Sequence, residues 1–250
     1  MRIFAGPNGS GKSTIFNLIE KNYDVGHYIN PDEIEKSLKD TGSYGLSSFG
    51  FTACTGKEFS DFCEGHSLLH KARQEGFSID LELDENANAI NHLKAGTHSY
   101  EAALVSDFLR RKLIAEGKKL SFETVMSHPS KLDILDLARE NGYKVYLYFI
   151  CTESPELNRG RVKQRVEQGG HQVQDTKIEE RYYKTLQQLR AAIAKTYKAF
   201  IWDNSTTEAQ LILSIENGTD VTVAQDWIPN WIMNYLLQPG SITFEHTSET

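Results

Sequence analysis

The stretch GPNGSGKS, Gly6 to Ser13, decides the reading of this chain. Its spacing, G-x-x-x-x-G-K-S, is that of a phosphate-binding P-loop. Glycines lack a Cβ and reach unusual backbone angles, so successive N–H groups can turn inward on a phosphate chain. Gly6, Pro7, Asn8, Gly9, Ser10, Gly11, Lys12, Ser13 and Thr14 are the candidate cradle. Lys12 is expected to reach the β- and γ-phosphates of ATP, and the Ser13 hydroxyl to sit on Mg²⁺. RIFA (Arg2 to Ala5) before the loop reads as a short strand. STIFNLIEKNY after it places Ile15, Leu18 and Ile19 at helical spacing. A helix N-terminus at that point adds partial positive charge to the anion site.

Outward from the loop, strand-like and helix-like segments alternate. Tyr28 and Ile29 suggest a short second strand ending at Asn30-Pro31-Asp32. YEAALVSDFLRRKLIAEG reads as a helix stopped by Gly117. KLSFETV reads as a strand ending in Glu123 and Thr124, and KLDILDLARENG as a helix stopped by Gly142. YKVYLYFICT, aromatic and β-branched, is the strongest strand pattern, and KAFIWDNS a last strand. This alternation predicts an α/β fold, a P-loop NTPase or nucleoside-kinase-like parallel sheet flanked by helices. The expected organisation is a kinase core over 1–205, interrupted by an insertion over 40–96 on the substrate side. A C-terminal packing helix and tail follow over 206–250, with Trp227, Trp231 and Tyr235 in the helix. Within the insertion, Phe59, Phe62, Cys63, His66, Leu69 and His70 fall on one face of a single helical pattern, and FSIDLELD alternates like a strand.

Composition limits the partners. The 250 residues carry 34 acidic against 27 basic side chains, a formal net charge of -7, which disfavours a long nucleic-acid partner. No apolar run approaches the roughly twenty residues of a membrane span. Cys54, Cys63 and Cys151 are an odd number at no framework spacing. They point to a reducing cytoplasm, and the chain enters the P-loop strand with no room for a signal peptide. His66 and His70 with Cys54 and Cys63 have the wrong spacing for a zinc site and read better as packing residues.

In sheets of this kind ligands bind beyond the carboxyl ends of the strands, which draws attention to Asp32, Glu123, Thr124, Asp203 and Asn204. Asp32 reads as the general base for an acceptor hydroxyl, with an N-cap of the following helix and an outer-shell Mg²⁺ ligand as the other readings. Glu123 reads as a binder of substrate hydroxyls, against a solvated loop carboxylate. NRGRVKQRVEQGGHQV carries Arg159, Arg161, Lys163 and Arg165, then the Gly169-Gly170-His171 break, with Arg181 in the next helix. Beside a P-loop this reads as a lid that brings Arg165 and Arg181 to the γ-phosphate and Arg159 or Arg161 to the adenine. The plainer reading is a solvated basic face.

IFAGPNGSGKST, YINPDEI, SFETVMS and RVKQRVEQGGHQV…IEERYYKTL, in that order, resemble the zeta-toxin family of P-loop kinases across roughly residues 1–38 and 98–205. The fold also resembles chloramphenicol phosphotransferase and other small-molecule kinases. The resemblance implies an ATP- and Mg²⁺-dependent kinase acting on a small-molecule hydroxyl, a UDP-sugar such as UDP-N-acetylglucosamine among the acceptors, and an antitoxin as possible partner. It sets Asp32 on the family's catalytic aspartate, and Glu123 and Thr124 on its substrate-facing Glu and Thr. The chain departs where sugar-nucleotide members carry Glu-Gly-Thr-x-Arg: here the residues are Glu-Thr-Val-Met-Ser, without the arginine. The competing functions are an antibiotic or polynucleotide kinase, or a nucleotide-binding switch that transfers nothing.

Overall fold

The computed structural model describes residues 1–93, 99–168 and 173–237. In chain order the elements begin with β1 (Arg2–Ala5), α1 (Lys12–Glu20), β2 (His27–Ile29), α2 (Pro31–Thr41) and β3 (Ser43–Gly45). Next come α3 (Gly56–Glu64), α4 (Ser67–Gln74), β4 (Leu81–Asp84), β5 (Ala89–His92), α5 (Ser99–Ala115), β6 (Leu120–Thr124), α6 (Asp133–Glu140) and β7 (Tyr146–Cys151). The chain continues through α7 (Pro155–Glu167), α8 (Asp175–Ile193), β8 (Lys198–Asp203), β9 (Gln210–Glu216), β10 (Asp220–Val223) and α9 (Asn230–Tyr235). The residues divide into two compact units, 1–25 with 121–250, and 26–120.

In the first unit the strands run in the order β10-β9-β8-β7-β1-β6. β1 lies between β6 and β7, parallel to both, and β8 is parallel to β7. A strand with neighbours on both sides and helices on both faces must be apolar throughout. Ile3, Phe4 and Ala5 are fully buried, as are Leu147, Phe149 and Ile150 of β7. Phe4 stacks on Tyr148 and meets Phe16 of α1 edge-on. α1 buries Ile15, Phe16 and Ile19, whereas Leu18 is 46% exposed and does not belong to the core stripe the sequence suggested.

The C-terminal region differs from the sequence expectation. Before α9, residues 210–223 form an antiparallel hairpin that extends the sheet beyond β8, so the sheet is mixed. Its connection is the three residues 217–219 between the paired Glu216 and Asp220; Asn217 and Gly218 have φ of 54° and 80°, and the Thr219 N–H closes the turn on the Glu216 carbonyl at 3.2 Å. α9 then buries Trp231 and Ile232; Trp227 precedes the helix and is 45% exposed. The Trp231 indole donates to Asp203 Oδ1 at 2.8 Å, so α9 is tied to the end of β8.

In the second unit, α2 packs along α5, and β3, β5 and β4 form a small antiparallel sheet. The helical pattern of 57–76 breaks at Gly65. His66 caps α4, its Nδ1 accepting from the Leu68 N–H at 3.1 Å, so His66 and His70 are not on one continuous face. His66 Nε2 also meets Asp107 at 3.2 Å, and Phe59 and Phe62 pack on Phe108 of α5.

Candidate nucleotide site

Three glycines shape the loop between β1 and α1. Gly6, Gly9 and Gly11 have φ of 154°, 77° and 95°. A Cβ at Gly6 would fall 2.0 Å from the Ile150 carbonyl oxygen, one at Gly9 2.6 Å from the Asn158 carbonyl oxygen, and one at Gly11 2.2 Å from the Asn204 amide nitrogen. β7, α7 and the end of β8 each press the loop from a different side. The Asn204 amide donates to the Ser10 carbonyl at 2.8 Å, and the Gly6 N–H donates to the Thr124 carbonyl at 3.2 Å.

α1 starts from Gly11 with no side-chain cap and no acid in its first turn. The first N–H groups of a helix need an acceptor from outside, and an anion supplies one. Lys12 folds back, its Nζ donating to the carbonyls of Gly6 at 3.1 Å and Pro7 at 3.0 Å. Ser13 Oγ donates to Glu123 Oε1 at 2.8 Å. Glu123 stands at the end of β6, in register with Phe4 of β1.

These residues open on a cavity of about 950 Å³, large enough for a nucleotide. Its wall includes Gly9, Gly11, Lys12, Ser13 and Thr14 of the loop and first turn, Leu18 of α1, Lys21 just beyond that helix, and Glu123. Arg161, Val162 and Arg165 of α7, Asn204, and Thr207, Glu208 and Ala209 before β9 complete it. Lys12, Lys21, Arg161 and Arg165 outnumber Glu123 and Glu208, so this wall is cationic in a chain whose net charge is negative.

Arg161 Nη2 donates to the Thr206 carbonyl at 3.2 Å, while its Nη1 is buried without a hydrogen-bond partner among the described residues. Arg165 and Arg161 thus line the cavity together. Arg159 instead pairs with Glu156 at 2.8 Å and Glu179 at 3.5 Å, joining α7 to α8, and neither it nor Arg181 lies in the cavity wall. Of the two arginines considered for the adenine, Arg161 is the one at the cavity. The Gly169-Gly170-His171 break lies outside the described residues; the helices expected on either side of it, α7 and α8, are present.

Thr124 is engaged locally. Its Oγ1 accepts from the Met126 N–H at 3.1 Å, Met126 has φ of 54°, and Thr185 of α8 donates to the Val125 carbonyl at 2.7 Å. A methionine in the left-handed region is uncommon, and these bonds hold it there beside the site. The loop 205–209 went unrecognised in the sequence. Its polar, strand-flanking composition carried no pattern beyond a turn.

Asp32 lies in the second unit. The cap of α2 is Asn30, whose side chain accepts from the Asp32 N–H at 3.0 Å, with Pro31 at the first helical position. The Asp32 side chain is therefore not the N-cap, and that reading falls away. Burial raises the thiols of Cys54 to about 11 and Cys63 to about 12, so neither is a thiolate nucleophile at neutral pH. Among the described residues no group of three or more His, Cys, Asp or Glu is placed to hold a metal by itself, and no helix is long and apolar enough to cross a membrane.

Comparison with known proteins bears on this geometry. An uncharacterized protein of Haemophilus influenzae is 28% identical over 118 residues, covering 47% of this chain and 84% of its own. A crystal structure of AvrRxo1-ORF1 with AvrRxo1-ORF2 and ATP superposes with a TM-score of 0.53 at 17% identity, over 89% of this chain and 60% of that one. This chain thus spans about 60% of the length of the chain it superposes on. A structure from the PezAT chromosomal toxin-antitoxin system of Streptococcus pneumoniae superposes with a TM-score of 0.50 at 15% identity, over 94% of this chain and 77% of that one. At such identities the likeness is one of fold. The sequence model of the zeta toxin family matches residues 85–209. That span omits the P-loop and begins within the segment the sequence reading had left outside the family. Since it covers half of the chain, the chain belongs to the zeta toxin family.

Proposed function

We propose that the chain is an ATP-dependent phosphotransferase that moves the γ-phosphate onto a hydroxyl of a small molecule. The observation that carries this reading is the cavity wall shared by Lys12, Ser13, Arg161, Arg165, Gly9 and Gly11. Family membership and the ATP named with one structural neighbour support it. In this reading Lys12 gives up the carbonyls of Gly6 and Pro7 for phosphate oxygens. Arg165 offsets charge on the transferred group, and the base lies between Leu18 and the 207–209 segment, near Arg161.

The oxygen donors Ser13 and Glu123 suit a hard divalent cation, and Mg²⁺ bound there would neutralise charge on the β- and γ-phosphates. Asp32 keeps the part that the family resemblance gives it, acceptance of the acceptor's proton as its oxygen attacks phosphorus and the ADP oxygen leaves; its place in the proposal rests on sequence. UDP-N-acetylglucosamine is the first acceptor to test. The absence of the arginine from Glu-Thr-Val-Met-Ser argues for offering other hydroxyl compounds beside it. An antitoxin protein is the proposed partner, as the toxin-antitoxin neighbour suggests, and the cytoplasm the proposed location.

The test is incubation with γ-labelled ATP, Mg²⁺ and a metabolite extract, followed by identification of the labelled product. A product that vanishes in Lys12→Ala and Asp32→Asn supports the proposal. Tight ATP binding with no acceptor labelled at any concentration would leave a switch module as the function.

A further inference from the structure

The loop between β8 and β9 walls one side of the cavity, and part of what holds it lies outside the cavity. We infer that Trp231 of α9 is a positioning residue for the nucleoside end of the site, acting through the Asp203 carboxyl group on the loop that carries Thr207, Glu208 and Ala209. The inference rests on the nucleotide reading of the cavity given above.

Asp203 is 3% exposed and Trp231 2%. A carboxyl group so buried needs donors, and three reach this one. The Trp231 indole N–H and the Ser205 hydroxyl both donate to Oδ1, at 2.8 and 2.9 Å, and the Ser205 N–H donates to Oδ2 at 3.0 Å. The indole nitrogen is a donor only, and the ring itself packs on Phe149 of β7, 6.0 Å between centroids. The carboxyl group is thereby held in one rotation, with both oxygens turned to Ser205. Ser205 Oγ in turn accepts from the Glu153 N–H at 2.8 Å, so its own proton is committed to Asp203.

The chain leaves β8 at Asp203 and enters β9 at Gln210, its antiparallel partner. Between them Ser205 is fixed by Asp203 and Glu153. The Thr206 carbonyl accepts from Arg161 Nη2 at 3.2 Å, and the Thr206 hydroxyl donates to the Glu208 carbonyl at 3.0 Å. Thr207, Glu208, Ala209 and Arg161 all line the cavity, whereas Asp203, Ser205 and Trp231 do not. Asn204, one residue earlier, instead holds the Ser10 carbonyl of the phosphate loop. Neighbouring residues thus serve opposite ends of the ligand: Asn204 the phosphates, Ser205 and Thr206 the base. Removing the indole N–H should loosen the base side and leave the phosphate side as it was.

The experiment measures the affinity of the full chain for ATP and for inorganic tripolyphosphate, each with Mg²⁺, by calorimetric titration, with ligand-free thermal melting alongside. Trp231→Phe keeps an aromatic ring against Phe149 and removes the N–H. The expected result is ATP affinity lowered about tenfold, the factor one lost buried hydrogen bond carries, with tripolyphosphate affinity unchanged. Should Trp231→Phe melt early, Ser205→Ala serves as the second arm. It is expected to show the same split between the two ligands, with the double variant falling short of the product of the two single losses, because both act through Asp203. Unchanged ATP affinity in either well-folded single variant overturns the inference. So does a tripolyphosphate loss equal to the ATP loss, which would leave the Trp231 bond as a fastening of α9 alone. An unaltered chain that binds ATP no more tightly than tripolyphosphate overturns the base-side reading of the cavity, and this inference with it.

Discussion

The side-chain amide of Asn204 donates to the backbone carbonyl of Ser10 across 2.8 Å, joining the end of β8 to the middle of the phosphate loop. The bond is buried, and Asn204 also donates its own N–H to the Cys151 carbonyl. One residue therefore ties together β7, β8 and the loop whose amides are proposed to hold phosphate.

Asn204→Ala removes that tie and leaves a buried carbonyl unpaired, at a cost of about 1–3 kcal/mol. The expected result is lower stability in urea and weaker ATP binding, with the loss of binding larger than that of a surface alanine variant of equal stability. Equal ATP affinity would show that the loop keeps its form unaided.

Lys12→Ala keeps the loop amides but removes the point charge on the β- and γ-phosphates. Its hydrogen bonds to Gly6 and Pro7 are to part-buried carbonyls of its own loop. Folding should change little, while ATP affinity and turnover both fall. Calorimetric titration of ATP into variant and parent checks this.

Asp32→Asn leaves the cap of α2 intact, because Asn30 accepts the first N–H groups. Loss of an acid from the first helical turn costs only about 0.3–1 kcal/mol. Removal of a general base costs about 10²–10⁴ in rate. The variant should melt close to the parent and bind ATP, yet transfer no phosphate above that reduced level. Retained turnover would withdraw the base assignment.

Arg165 faces the cavity from an exposed position, and Arg181 stands outside its wall. Arg165→Lys keeps the charge and loses the planar fork, so kcat should drop more than ATP affinity. Arg181→Lys should change kcat less than Arg165→Lys does. Equal losses at the two positions would restore Arg181 to a phosphate contact.

Asp107 supplies a pH prediction for the second unit. Burial alone would raise its carboxyl, but His66, Arg110 and Arg111 outweigh burial and hold it well below the usual carboxylate range. Arg110 Nη2 and Arg111 Nε donate to it at 2.9 and 2.7 Å. A depressed carboxyl stabilises the fold fully above its unfolded value of about 4, and that contribution is lost as pH falls below it. Asp107→Asn should cost on the order of 3 kcal/mol at neutral pH. Its unfolding free energy should also fall less steeply than the parent's when acidified below about pH 4.

Much of the fold could be read from the chain because its strands are short apolar runs bounded by glycines and polar turns. β1, β6, β7 and β8 each coincide with such a run, and Gly117 and Gly142 stop α5 and α6 with φ of 65° and 78°. The β9–β10 hairpin was legible too, since Asn217-Gly218 between LILSIE and DVTV is a strong turn signal; the tryptophans downstream drew the reading toward a helix instead. The break between α3 and α4 was hidden because the apolar spacing runs on through Gly65, and only the His66 cap ends it. In the site, the loop and Lys12 follow from spacing alone. The choice of Arg161 over Arg159 does not, because both lie on one helix and only the ion pairs of Arg159 with Glu156 and Glu179 separate them.

The crowding around Gly6, Gly9 and Gly11 has a consequence for how this gene can change. Each glycine abuts main chain or a fixed amide, so any side chain at these positions meets an obstacle that no rotamer avoids. Every amino-acid replacement there is a loss by shape, whatever its polarity or charge. A library of replacements across the loop should therefore keep nucleotide binding only where these three codons still encode glycine, small and large substitutes failing alike.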